Sequence, residues 1–383
     1  MLKVDTVHDS GEFARLKPEW DALLSALEER GSVFMSHAWH HCWWRHFNAH
    51  AALNLLVVRR DGELVGLFPL MRQLTFVHGL PVRSICFMEN WNSLHNDALV
   101  LPKFRDGVLH AVLETLYAER QSWDVLQLNN IPGSSENCDR LISLLTEAGR
   151  NFQLRHSMDT PYLEVAGEWP DFFGSRSTRV RKTLRNIQNG LARSGNWEVL
   201  QLRSWQEYLD VREGILQVAR KSWTKRIGDS LADPVNAAFF DDLAQAASAQ
   251  GWLSIWLLRL NGREIAFEFH LRGCNKQHAL RASYDAEFAA LSPGAFLEMQ
   301  ALKRVFQEPQ GVQFFDFGGS FDTYKKRWSD HSKELVSLQV FNQRFYSRLA
   351  ALHEMGVVPV ARSIRDRLRS RHERSESGAD SQY

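Results

Sequence analysis

The chain has 383 residues, 44% hydrophobic and 24% charged, with a formal net charge of +1. Such a length exceeds one ordinary hydrophobic core, so two domains are expected, and the balance is that of a soluble globular protein. The near-zero charge excludes a global field that would draw in DNA or an acidic partner. No apolar run follows a basic start in Met1 to Val7, and no stretch reaches the roughly 18 apolar residues of a spanning helix, so a cytoplasmic protein is expected. Cys42, Cys86, Cys138 and Cys274 show no CxxC spacing, which argues against a structural zinc site or a disulfide framework.

In chain order, Leu16, Trp20, Leu23, Leu24 and Leu27 predict an amphipathic helix over 13–27, and an aromatic helix is expected from His37 to Phe47. His37 and His41 are four apart, but no third ligand or neighbouring glutamate completes a metal motif, so no metal is expected. Apolar runs flank Asp61-Gly62, a hairpin signal because a type I′ turn requires positive φ. The pattern returns at Asn261-Gly262, offset by 200 residues, with Arg59 and Arg72 in register with Arg259 and Arg272. After each hairpin the pattern predicts a strand (97–101; 277–283), an amphipathic helix (105–120; 294–307) and a further strand (124–128; 313–317). This shared order reads as two copies of one α/β unit.

Between the copies, 156–170 contains Pro161, Gly167 and Pro170 and reads as a crossover loop. A helix over 177–193 follows, with Arg176, Arg179, Arg181, Lys182 and Arg185 around its first turns. Cations there oppose the helix macrodipole, so the cluster is either a solvated face or the seat of an anionic ligand. The last segment alternates arginine with apolar residues from Arg362 and ends in a polar stretch expected to be disordered; the basic helix there is expected to be solvated, with contact to a membrane surface or a partner as the alternative. The chain thus divides into 1–155, expected to be structural, 156–345, expected to carry the chemistry, and a tail over 346–383.

Two stretches hold the chemical candidates. Tyr284-Asp285 ends a strand, and Ser292-Pro293-Gly294-Ala295 opens a helix whose unpaired backbone N–H groups would suit a diphosphate. Asp316 lies among apolar residues near a strand end, where a carboxylate must be paired, hydrogen-bonded or functional. Gly318-Gly319 permits close approach of backbone to a ligand, and Tyr324, Lys325 and Arg327 add a phenol and two cations. Glu268 and His270 share one face of their strand, either as catalytic bases or as the polar alternation of an exposed sheet face.

Together, Tyr284-Asp285, Ser292-Pro293-Gly294, Asp316-Phe-Gly-Gly, Tyr324-Lys325 with Trp328, the basic helix at 179–185 and the aromatic segment from Phe34 resemble the GNAT acyltransferase superfamily in its Fem-like, CelD-type branch. The resemblance reaches to about Phe341 and implies an α/β fold with mixed sheets in tandem GNAT-like lobes. It further implies transfer of an acyl group from acyl-CoA, acetyl-CoA or longer, to an amine on a sugar, peptide or lipid intermediate of cell-envelope or polysaccharide biosynthesis. Fem-type relatives use aminoacyl-tRNA instead, and the family's diphosphate loop is richer in glycine than Leu291-Ser-Pro-Gly-Ala, so both donors stay open. A non-catalytic scaffold is the third reading, opposed by the intact Asp285, Gly294, Asp316 and Tyr324-Lys325. On the catalytic reading, Asp316, Glu268 or His270 serves as base, or Asp316 holds the acceptor ammonium. Tyr324 protonates the leaving sulfur unless its ring only caps the core. Ser292, Gly294, Ala295 and Lys325 bind the donor. Tyr284, Asp285, Gly318 and Gly319 line the acceptor side, unless Asp285 only fixes its turn.

Overall fold

The computed structural model of the chain describes residues 1–28, 31–77, 79–222, 230–308, 311–321 and 324–352. The basic segment from Arg362 lies outside the described residues. The first lobe opens with β1 (Leu2–Val7), α1 (Ser10–Arg15) and α2 (Lys17–Ala26), the expected single helix being divided just before Pro18, which occupies the first turn of α2. Ser36 caps the aromatic α3 (His37–Phe47) by accepting the Trp39 N–H, and Trp39 and Trp43 are buried in the core. Then come β2 (Ala51–Leu53), β3 (Leu55–Arg60), β4 (Glu63–Phe68), β5 (Leu70–Val77), β6 (Leu80–Phe87), the two-residue β7 (Leu99–Val100), α4 (Arg105–Ala118), β8 (Val125–Pro132), α5 (Glu136–Glu147) and β9 (Phe152–Glu164).

In the second lobe, α6 (Trp169–Ser175) leads to α7 (Thr178–Ser194), capped by Ser177, and then to β10 (Trp197–Leu202). Next are α8 (Trp205–Lys221), opened by a capping box between Ser204 and Glu207, and α9 (Pro234–Ala249). The chain continues through β11 (Leu253–Leu260), β12 (Arg263–Gly273), β13 (Lys276–Tyr284), α10 (Pro293–Gln307), β14 (Phe314–Asp316), β15 (Ser332–Phe341) and α11 (Phe345–Leu352).

The two lobes repeat one plan down to its irregularities. Hairpins β3–β4 and β11–β12 turn through residues of positive φ, Asp61 (52°) and Gly62 (92°) in one, Asn261 (51°) and Gly262 (80°) in the other. Each carries a register shift at the same place, between Val58 and Arg59 and between Leu258 and Arg259. Each first hairpin strand is flanked by a six-residue antiparallel strand, β1 or β10. The first lobe departs from the plan by inserting the β5–β6 hairpin and the segment 88–98, so that β6 pairs with β8 and only the short β7 returns to β4.

A four-stranded sheet, β1-β3-β4-β7, stands beside an eleven-stranded sheet, β10-β11-β12-β13-β14-β9-β15-β8-β6-β5-β2, which runs through both lobes. Its centre is made by exchange. β15, from the end of the second lobe, lies between β8 and β9 of the first, while Tyr162–Glu164 of β9 pair with β14 of the second. The expected crossover loop at 156–170 is therefore mostly strand. Pro161 is tolerated because it sits where β9 changes partner: it has no N–H to give, and its carbonyl accepts the Phe317 N–H at 3.1 Å. Leu338 of β15 is wholly buried in the first lobe's core with Leu126, Leu128 and Leu145.

Leu338→Ala should cost about 2–5 kcal/mol. It should also speed amide exchange in β8, in the opposite half of the sequence. Exchange that quickens only in the second lobe would contradict the strand exchange.

Candidate active site

Two neighbouring rungs between β13 and β14, Gln277 opposite Phe315 and His278 opposite Asp316, place chemistry on both faces of the sheet. Because strand side chains alternate, Gln277 and Phe315 point to one face and His278 and Asp316 to the other. Beyond these rungs β13 runs on to Tyr284 while β14 ends, and the strands part in a fork.

On the His278 face, Asp316 Oδ2 lies 3.3 Å from His278 Nδ1, and Asp316 Oδ1 accepts the Gly318 N–H at 2.9 Å. Despite burial, the His278 ring and the Gly318 N–H hold the Asp316 carboxyl down at about 2. The His278 ring is 1% exposed and meets Phe34 edge-on at 5.0 Å. His95, from the inserted segment of the first lobe, bonds Ser32 Oγ at 2.8 Å, and burial lowers it to about 3. Ser32, His95, His278 and Asp316 border a cavity of about 350 Å³ at the junction of the lobes.

On the other face, beneath α10, Glu268 Oε2 meets His270 Nε2 at 2.8 Å, and the remaining ring nitrogen of His270 meets the Gln277 amide at 2.8 Å. Both Glu268 and His270 are buried, so the exposed-face alternative does not hold: α10 covers them. Glu298 of α10 accepts the Trp328 indole N–H at 2.6 Å. Its enclosure and the nearby Glu268 push its carboxyl up to about 8. The candidate bases therefore form two groups on opposite faces, Asp316 in one and Glu268 with His270 in the other.

At the far end of β13, Ser292 takes a left-handed conformation (φ 50°) and starts α10 without a side-chain cap, with Pro293 at the first turn. Among the described residues a Cβ on Gly294 would touch only Tyr284, at an ordinary 3.4 Å, so they do not require glycine there. Asp285 is buried in structural bonds: it caps the turn through the Glu287 N–H at 3.0 Å, and Arg263 and Lys221 pair with it. Gly318 is different. It has φ 61°, and a Cβ would stand 2.5 Å from the Ala279 carbonyl oxygen. Lys325 is buried and donates to the Gly318 and Ser320 carbonyls, so it fastens the Gly318-Gly319 loop. Tyr324 is 47% exposed, with Lys325 and Arg327 over its ring.

Sequence reading missed His278, His95, Lys276 and Glu298, because their partners are remote in the chain. The end of β8 at Asn129-Asn130 has no carboxylate of its own. Glu89 supplies one from the inserted segment: Asn129 donates to it at 2.7 Å, Asn96 also donates, and burial raises its carboxyl to about 7. Among the described residues no group of three or more His, Cys, Asp or Glu could hold a metal ion.

Residues 178–326 match the model of the acetyltransferase (GNAT) domain family. The structure is similar to that of FemX, with a TM-score of 0.58 at 13% identity over 90% of this chain and 100% of that one. It is also similar to the C-terminal domain of a protein assigned as lysylphosphatidylglycerol synthetase from Agrobacterium fabrum (TM-score 0.54, 14% identity, 91% and 96% covered). A tandem GNAT protein from the clavulanic acid biosynthesis pathway gives a TM-score of 0.51 at 11% identity, with 89% and 98% covered. At such identities the likeness is one of fold. No curated protein sequence matches the chain significantly.

Gly318→Ala should lose about 1–3 kcal/mol from left-handed strain alone, with more from the contact at the Ala279 carbonyl, and a melting temperature equal to wild type would contradict this. Glu298 makes a pH-dependent contribution. Its folded-state value, about 8, lies above the free value of 4.5, so its proton favours the folded protein fully below the latter and that contribution is lost as pH rises through the former. Glu298→Gln, which keeps an acceptor for Trp328, should therefore lose less stability than wild type in urea unfolding between about pH 5 and 8.5. Parallel declines would contradict it.

Proposed function

We propose that the chain moves an acyl group from acyl-CoA to an amine acceptor, with the chemistry in the second lobe, because residues 178–326 match the acetyltransferase (GNAT) domain family and the fold is similar to that of FemX. The observation that carries this reading is the uncapped N-terminus of α10 beside a parting strand pair. The Gly294 and Ala295 N–H groups, with the positive end of the helix behind them, suit the diphosphate of coenzyme A. From there to the fork at His278, six residues of β13 span roughly 20 Å, a distance that calls for a donor with a long, thin arm. A thioester delivered to the fork would react with an amine entering from the lobe junction. Tyr324, on the rim of the loop after β14, is the group proposed to protonate the departing sulfur. The acceptor fits a small molecule or a carrier-linked amine.

One observation favours the second donor, an aminoacyl-tRNA. The first turn of α7 carries no acidic residue, and Arg179, Lys182 and Arg185 are exposed on it, a surface suited to a phosphate backbone.

A thermal-shift titration with acetyl-CoA and free coenzyme A separates the donors, since a ligand that binds the folded state raises its melting temperature. Coenzyme A should stabilise the wild type, and Gly294→Val should weaken that stabilisation by an order of magnitude or more while leaving the unliganded melting temperature nearly unchanged. Equal affinity in Gly294→Val would move the diphosphate site elsewhere. No shift with either ligand would leave aminoacyl-tRNA as the donor to test.

A further inference from the structure

Asp316 is ionised throughout the working pH range and so can only accept a hydrogen bond. Its Oδ2 faces His278 Nδ1, which fixes the tautomer of a neutral His278: Nδ1 carries the proton and Nε2 carries the lone pair. Nε2 is buried and has no hydrogen-bond partner among the described residues, and His278 is only 1% exposed. An unsatisfied ring nitrogen in such a place is costly unless a ligand meets it. His278 borders the cavity of about 350 Å³ at the lobe junction, and so does Thr160, whose buried hydroxyl also lacks a partner among the described residues.

From this geometry we infer that His278 is the general base of the transfer, that Asp316 is its positioning residue, and that the cavity receives an amine acceptor bearing a carboxylate or phosphate. The inference rests on the acyltransferase reading and adds the base and the acceptor class. The charges around the cavity give that class. Its carboxylates other than Asp316 are already engaged: Asp97 by Ser135 and Asn137, and Glu136 by Arg105. Lys276 and Lys333 add positive charge on the side of the dyad, with Lys333 Nζ seated over the Tyr162 ring at 4.6 Å. His95, the remaining titratable neighbour of His278, is held neutral by burial and adds no charge. Two lysines lower the pKa of an ammonium beside them and attract an anionic group on the same molecule.

The step balances. The acceptor ammonium gives one proton to His278 Nε2, and the neutral nitrogen attacks the thioester carbon. The carbon–nitrogen bond forms, the carbon–sulfur bond breaks, and its electron pair stays on sulfur. The second amine proton ends on the departing sulfur, and His278 releases the first to water.

The test combines one spectrum with one assay. In ¹⁵N-histidine NMR, with His278 assigned by its loss in His278→Gln, the wild type near neutral pH should show Nδ1 protonated and Nε2 bare, and Asp316→Asn should give a mixture of tautomers. Thiol release from acetyl-CoA is then followed with a pool of glycine, glutamate, glucosamine 6-phosphate and putrescine. His278→Gln should lose about 10²–10⁴-fold in turnover while coenzyme A still raises its melting temperature. Within the pool, the anionic amines should react and putrescine should not. A proton on Nε2, or wild-type turnover in His278→Gln, overturns the assignment of the base, and preference for putrescine overturns the acceptor class. If His278→Gln does not fold, His278→Asn takes its place and the wild-type tautomer still decides. If the wild type neither binds coenzyme A nor releases thiol, the acyl-CoA reading fails, and the tautomer alone decides whether the dyad stands.

Discussion

The architecture depends on one strand. β15 forms hydrogen bonds with β8 on one side and β9 on the other, so the first lobe's sheet is closed by the last strand of the second. β9 reciprocates by pairing its last residues with β14. Neither lobe can lose its share of this exchange without exposing a sheet edge and the apolar side chains beside it. The exchange also sets the site. It holds β14 between β13 and β9, and so fixes the rungs on which Gln277, His278, Phe315 and Asp316 sit.

From those rungs the chemistry follows by alternation. One face holds a histidine that borders a cavity and whose Nδ1 is tied to a carboxylate; the other holds a buried acid–histidine–amide chain under the helix proposed to bind the donor. With the proposed donor and acceptor on opposite faces of the sheet, the two would approach only at the fork, away from water and the wrong nucleophile. Gly318 keeps the fork tight, since no side chain fits between its backbone and the Ala279 carbonyl.

Local pattern carried much of the fold. The α3 helix has its expected ends, α10 and α7 differ from expectation by single residues, and both hairpin turns were legible because Asp-Gly and Asn-Gly impose positive φ. β9 was hidden by Pro161, which reads locally as a breaker and is admitted only because β9 changes partner there. β15 has no local feature that reveals which lobe it joins. In the site, Asp316 could be picked out as a carboxylate among apolar residues, but its histidine lies 38 positions away, a relation only strand pairing creates. Asp285 and Lys325 drew attention as chemically able residues. The structure gives Asp285 a turn and two cations to hold, and Lys325 a glycine loop.

The proposed donor site runs along β13 from the N-terminus of α10 to the fork with β14. The most direct measurement is a structure of the protein with coenzyme A bound. The diphosphate should lie against the Gly294 and Ala295 N–H groups and the thiol end near His278. A diphosphate seated at the start of α4 in the first lobe, with β13 bare, would contradict it.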